Sequence, residues 1–448
     1  MFYFKKRHNG TIMKNKKFIT LGFASTTIAI GLLFSSNLFA EPTVKSAETS
    51  RLEAYAKFTK VLDIVEEYDV DKVTIEELID KALDGMMKNL DAHSNYLKEK
   101  DYKQLQVQTS GEFGGLGITV GMKDGALTVI APIDGTPADK AGLKSGDIIL
   151  KIDEKSTISM TIDEAVSLMR GKVGDPIDVT IVRKDEMKPL KIHIVRGVIT
   201  IESVLAKKVG DDTLYVRVAS FDQKVASDVA KEIKKNKATT KGIILDLRNN
   251  PGGLLDQAVD LVNLFVDKGT IVSQKGRNES DDKTYLATSS STITKVPMVV
   301  LINGGSASAS EIVSGALQDH KRAVLVGENT FGKGSVQVVL PITNTDAIKL
   351  TIARYYLPSG RTIQAVGVAP DIIVFPGEVK THTNEFAIKE ADLKEHLEQE
   401  LEKVDGNNSA TKEDKKAKKD IITPETLNKD IQLKEAVDII KALAIIKG

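Results

Sequence analysis

The sequence predicts a multidomain α+β protein, on three changes of pattern along its 448 residues. Apolar residues recur at helical spacing before residue 105 and then in short Gly-punctuated runs from Gly111 to about Val195. From Ile199 to Phe375 strands alternate with helices. These patterns predict N-terminal helices, a β-rich domain, an α/β layered core with a largely parallel sheet, and a C-terminal helical segment. The expected divisions are residues 1–40, 41–105, 106–197, 198–378 and 379–448.

Residues 1–40 hold six basic residues (Lys5, Lys6, Arg7, Lys14, Lys16, Lys17) and no acidic one. A basic start, an apolar run from Phe18 to Phe34 and the small residue Ala40 form a secretory signal pattern, read either as a cleaved signal or as an uncleaved anchor. Either way the body is expected to be exported, to the periplasm, with residues 18–34 able to hold it to the inner membrane. The whole chain has zero formal charge, so the remainder carries a net of six negative charges, which argues against a nucleic-acid partner. There is no Cys, hence no disulfide, thiol nucleophile or thiolate metal site.

In the N-terminal helices, Tyr55, Phe58, Leu62 and Val65 share one face, as do Ile75, Leu78, Ile79, Ala82 and Leu83. A helical pair this small is expected to pack on another domain or a second subunit. In the β-rich segment, Leu127 to Ile130, Ile148 to Ile152 and Ile177 to Val182 read as strands. Thr161-Ile162-Asp163-Glu164 is a capping box that starts a helix. In the core, Gly242 to Leu247 and Val296 to Ile302 are buried-strand runs, each followed by a helix, Leu254 to Phe265 and Ser308 to Leu317. Residues 403–420 read as a polar linker, and Thr423-Pro424 starts the last helical segment.

Four motifs carry chemistry or imitate it. Gly327 to Lys333 fits the first seven positions of a phosphate loop, but Gly334 stands where Ser or Thr would hold magnesium, and a strand-like run follows instead of a helix. Asn303 to Glu311 lies where a buried strand meets a helix. Its Ser308 is either a helix cap, paired with Glu311 in a capping box, or a reactive hydroxyl. Asp246 to Gly253 places two glycines before a helix, as a tight turn or as an oxyanion site made of backbone N–H groups. Gly114-Gly115-Leu116-Gly117-Ile118 opens the β-rich segment as a possible carboxylate cradle. No Gly-x-Ser-x-Gly elbow, His-Glu-x-x-His pair or recognisable triad His is present, which leaves Lys as the candidate base.

The Gly114 loop, the helix capped by Thr161 and the run Gly135 to Leu143 together resemble a PDZ domain. Taken with Asp91 to Leu97, Asp246 to Gly253, Asn303 to Glu311, Phe331 to Gln337, Tyr356 to Arg361 and Asp430 to Leu433, the chain resembles the carboxyl-terminal processing peptidases, tail-specific serine–lysine proteases. Ala92 departs from the Pro usual in that family. The resemblance implies a crotonase/ClpP-like catalytic core with Ser308 as nucleophile, Lys333 as base and Gln337 as the residue supporting the lysine, the last two expected to face the same side of an extended strand. It implies oxyanion donors from the backbone of Ala309 and of Gly252 or Gly253, and capture of a peptide C-terminus by Leu116, Gly117 and Ile118, with Leu116 and Ile118 expected to flank a pocket closed by the helix from Ile162 to Met169. No cofactor or metal is implied. The expected partners are proteins or peptides taken by their C-termini, and a second copy bound through the terminal helices. The rival expectation is a catalytically silent PDZ scaffold that only binds C-termini.

Overall fold

The computed structural model describes residues 47–184, 186–379 and 421–447; the expected leader and the linker 403–420 lie outside them. Among the described residues no helix is long and apolar enough to cross a membrane. Two compact units divide between Tyr96 and Leu97.

The first unit holds helices Ala47–Tyr68 and Ile75–Lys88, the second begun by a formed capping box of Thr74 and Glu77. Leu52, Tyr55, Phe58 and Tyr68 stay exposed along the longer helix. The stretch expected to be helical through residue 105 is interrupted. The Asp91 carboxylate accepts the N–H groups of His93 and Ser94 at 2.7 and 2.9 Å, a local bond that competes with the helix, and Asn95–Leu97 is extended. A third helix, Glu99–Ser110, then belongs to the larger unit and ends at Gly111 with φ +70°.

The β-rich domain is an antiparallel sheet in the order Ile118–Lys123, Ala126–Pro132, Ile148–Ile152, Pro176–Val182, Leu190–Val195. Alternation along these strands buries Leu127, Val129, Ile149, Ile152, Ile177, Val179 and Ile181 against Ala165 and Met169 of the helix Ile162–Met169. The expected Thr161–Glu164 capping box is formed. Strand Ile118–Lys123 is at the sheet's edge, beside that helix.

The core sheet has seven strands in the order Ile372–Ile373, Val324–Gly327, Met298–Ile302, Gly242–Asp246, Thr213–Val218, Val204–Val209, Ile421–Ile422. Every pairing is parallel except Val204–Val209 with Thr213–Val218. Side chains alternate between its two faces. Leu214, Val216, Ile243, Leu245, Val300 and Ile302 pack on helices Val225–Asn236, Leu255–Asn263 and Ala309–Asp319. Tyr215, Ile244, Val299, Leu301 and Val326 pack on Leu433, Ala436, Val437 and Ile440 of the last helix, Ile431–Lys447. Burial on both faces is why these strands read as unbroken apolar runs. A second, antiparallel sheet contains Ser335–Pro341, Ala347–Tyr356, Gly269–Gly276 and Lys283–Ala287.

Inside the β-rich domain, Arg183 binds the buried Asp147 carboxylate through Nε and Nη2, both at 2.8 Å, and the Lys144 N–H adds a third bond at 2.8 Å. Burial pushes the Asp147 carboxyl up, but the Arg183 and Lys144 bonds outweigh it and hold the group below its ordinary value. A carboxyl lowered on folding stabilises above the ordinary carboxylate range and loses that contribution as pH falls through its folded value. Arg183 remains 17% exposed, so screening keeps the pair at about 1–2 kcal/mol. Asp147→Ala should therefore speed hydrogen exchange of strand Pro176–Val182 near neutral pH. The difference from wild type should vanish in acid; a difference that persists there would contradict the assignment.

Candidate active site

Three neighbouring parallel strands, Gly242–Asp246, Met298–Ile302 and Val324–Gly327, release their chains at the same carboxyl edge. That is where open α/β sheets build their sites. The three loops that leave there contain Gly252 and Gly253, then Ser308, then Lys333. The order of the strands alone makes the Ser308 loop the middle one.

Ser308 is 1% exposed and has φ 56° and ψ −110°, a strained conformation for a residue with a Cβ. It stands at the start of helix Ala309–Asp319, but its hydroxyl does not cap that helix. The Glu311 N–H donates to the Ser308 carbonyl at 2.9 Å, and among the described residues Ser308 Oγ has no hydrogen-bond partner. Only the returning half of the capping box exists, from Ser308 N–H to Glu311 Oε2 at 2.8 Å.

Glu311 is fully buried and joins two of the loops. Its Oε2 also accepts the N–H of Lys333 at 2.8 Å, and its Oε1 accepts Thr330 Oγ1 at 2.6 Å and the N–H of Gly332 at 2.7 Å. The backbone nitrogens of Ser308 and Lys333 thus meet on one oxygen. Four donors converging on two oxygens suit an ionised carboxylate, which accepts on every side. Because the N–H groups of Gly332 and Lys333 are spent here, and the strand Ser335–Pro341 follows, this loop does not form a phosphate cradle.

The half-buried Lys333 sits between Gly332, at φ +95°, and Gly334, where a Cβ would come within 2.8 Å of the Gln364 nitrogen. The expectation that an extended strand puts Lys333 and Gln337 on one face is corrected. The strand begins only at Ser335, and a bulge falls between Val336 and Gln337, so alternation does not run between the two. Gln337 is buried, and its Nε2 donates to Ser335 Oγ at 2.9 Å and Thr351 Oγ1 at 3.2 Å. Sequence reasoning missed Tyr355. Its buried hydroxyl donates to the Lys333 carbonyl, and burial, then the charge of Glu311, push its pKa well up against the opposing effect of the neighbouring Ser308 hydroxyl.

Of the expected oxyanion donors, Ala309 N–H begins the helix and makes no hydrogen bond among the described residues. Gly252 has φ +99°, and a Cβ there would stand 2.9 Å from both Ala309 N and Ser308 Cβ, so only glycine allows this approach. Its N–H, however, donates to Asn250 Oδ1 at 2.9 Å, so in this conformation Gly252 is not an open donor. Gly253 lies against the Phe221 backbone, where a Cβ would meet the carbonyl oxygen at 2.2 Å. Asn250, which sequence reasoning also missed, is buried and joins the loops: its carbonyl accepts Ala307 N–H and Ser310 Oγ, and its Nδ2 donates to the Val218 carbonyl.

In the β-rich domain the Leu116 carbonyl accepts Ala138 N–H at 2.8 Å, and the Gly117 carbonyl accepts Ile133 N–H at 2.9 Å. Carbonyls fixed inward leave the opposite edge of these peptides for N–H groups. The expectation that the Leu116 side chain flanks a ligand pocket is corrected: it is 2% exposed and belongs to the domain core, so this residue can offer a ligand only its backbone. Ile118 is half-buried and starts the edge strand.

Exchanging one Glu311 oxygen for an amide nitrogen turns a donor toward at least one buried N–H. Glu311→Gln should cost about 2–4 kcal/mol of unfolding free energy, measured in urea. A change within about 0.5 kcal/mol, the range of neutral surface substitutions, would contradict this account.

Residues 114–194 match the PDZ domain, and residues 212–374 match peptidase family S41. The chain is 42% identical over 398 residues to the carboxy-terminal-processing protease of Bartonella bacilliformis, covering 86% of this chain and 89% of that one. It is 34% identical to the carboxy-terminal processing proteases CtpA and CtpB of Bacillus subtilis, over 73% and 83% of this chain and 70% and 76% of theirs. With a PDZ domain inserted ahead of an α/β serine-peptidase core, and agreement over most of both chains, this protein belongs to the carboxy-terminal processing proteases of peptidase family S41.

Proposed function

We propose that this serine peptidase is exported and cleaves proteins near their C-terminal tails with a Ser308–Lys333 dyad. The observation that carries the reading is Ser308 itself, a buried hydroxyl on a strained backbone that lies beside the Tyr355 hydroxyl but makes no well-formed hydrogen bond among the described residues. Native structures rarely leave a buried hydroxyl unsatisfied without a use for it. Its Oγ attacks the scissile carbonyl carbon, Lys333 Nζ takes the proton, and the same proton goes to the departing amine. Water then hydrolyses the ester left on Ser308 with Lys333 again as base. Gln337 holds the lysine amine. Ala309 N–H faces the developing oxyanion, and Gly252 N–H joins it when it leaves Asn250 Oδ1.

The PDZ domain takes the substrate's C-terminal carboxylate on the N–H groups of Leu116, Gly117 and Ile118 and adds its tail to the edge strand Ile118–Lys123. The basic and apolar pattern of residues 1–40 supports export, to the periplasm, with attachment to the inner membrane through residues 18–34. The exposed apolar residues of helix Ala47–Tyr68 support pairing with a second copy.

Ser308→Ala and Lys333→Ala should each abolish cleavage of a tail peptide, and Gln337→Ala should lower kcat more than it raises KM. Near-normal turnover by Lys333→Ala would remove the dyad, and a silent wild type that still binds tails would favour the scaffold reading. Tail binding is tested by calorimetry on the full Ser308→Ala chain with an acid and an amidated form of one peptide. Losing charge-assisted bonds should weaken the amide by about ten- to a hundredfold. Equal affinities would leave the domain only a steric cover.

A further inference from the structure

The motif Asp430 to Leu433 lies far from the reacting groups in sequence, yet it reaches the base of two of the site's loops. The guanidinium of Arg248 is shared between two carboxylates. Its Nε and Nη2 bind Asp246 at 3.0 and 2.7 Å, and its Nη1 and Nη2 bind Asp430 at 2.9 and 2.8 Å. Its Nη1 also donates to Gln432 Oε1 at 2.9 Å, so all five N–H donors are used. Gln432, which is buried, turns its Nε2 to the carbonyl of Val374 at 2.7 Å, and the Val374 N–H donates to the carbonyl of Gly327 at 3.0 Å. Gly327 ends the strand from which the Lys333 loop departs. One short element thus holds the root of the Gly252 loop on one side and the root of the Lys333 loop on the other.

The Asp246–Arg248 pair, with the Tyr215 hydroxyl that donates to Asp246 at 2.8 Å, ties that end only to the neighbouring strand of the same sheet and cannot brace it against the C-terminal helix. Asp430 can, because the helix it precedes is anchored by burial of Leu433, Ala436, Val437 and Ile440 on the sheet. Above Arg248, Leu247 accepts Ser306 Oγ, Asn249 exchanges bonds with Asn303, and Asn250 holds Ala307 and Ser310. A shift of Arg248 would pass directly into residues flanking Ser308.

We propose that Asp430 and Gln432 are positioning residues of the active site, acting through Arg248 on the Asp246–Gly253 loop and through Val374 on the root of the Lys333 loop. The proposal rests on the reading of Ser308 and Lys333 as the reacting pair. Asp430→Ala, Asp430→Glu and Gln432→Ala in the full chain are compared with wild type by steady-state hydrolysis of a tail peptide and by hydrogen exchange. Enzyme concentrations are set by fluorophosphonate titration. Asp430→Ala should lower kcat per titrated site about tenfold or more with KM within about twofold, and Asp430→Glu should regain part of it. Exchange should quicken in residues 246–253 while helix Ile431–Lys447 stays protected. Unchanged kcat with unchanged loop exchange would overturn the proposal. So would a helix that loses protection together with the loop in both Asp430 variants, because the contacts would then only dock the helix. A wild type that neither cleaves nor titrates would remove the active-site reading instead, while the exchange comparison still reads the brace.

Discussion

The buried carboxylate of Glu311 is the constraint on which the rest of the site depends. It stands one helical turn past Ser308 and collects the N–H of Ser308, the Thr330 hydroxyl and the N–H groups of Gly332 and Lys333. A buried carboxylate is tolerable only when its oxygens are hydrogen-bonded, so Glu311 enforces the approach of two loops that the sequence separates by about a score of residues. It also occupies the Ser308 backbone while leaving the hydroxyl unengaged. The strain at Ser308 persists because the helix behind it and the Asn250 loop beside it are both fixed by buried hydrogen bonds.

That arrangement needs a rigid floor, and the seven-stranded sheet supplies it only when both faces are covered. Three helices from the core sequence cover one face. The other is covered by a helix that begins at Ile431, beyond the core and its linker. Gly242 shows how close that contact is, since a Cβ there would come within 2.2 Å of Ile440 Cγ2. The C-terminal segment is therefore part of the catalytic core's packing, and its edge strand Ile421–Ile422 extends the same sheet.

Much of the fold was legible because local rules decide it: two-sided burial made the parallel strands read as apolar runs, and the Thr161 capping box formed where its spacing placed it. Ser308 and the glycines around Lys333 stood out for the same reason. What was not legible depended on partners distant in sequence. The spacing Ser308-x-x-Glu311 suggested a local cap, while the acceptors' real work is with Thr330, Gly332 and Lys333. Nothing local distinguishes a Leu116 that lines a pocket from one that fills a core, and nothing local assigns Gly252 N–H to Asn250. The bulge before Gln337 broke an alternation that the strand-like sequence invited.

The most direct test of Ser308 as nucleophile is to intercept the covalent intermediate. The protein is mixed with an activated peptide ester and quenched in acid within the first turnover, and the intact chain and its peptides are then weighed. The account predicts one added acyl group per chain, on the peptide carrying Ser308, absent from Ser308→Ala and slow to form in Lys333→Ala. An acyl group on another residue, or cleavage with no acyl intermediate and undiminished in Ser308→Ala, would contradict it.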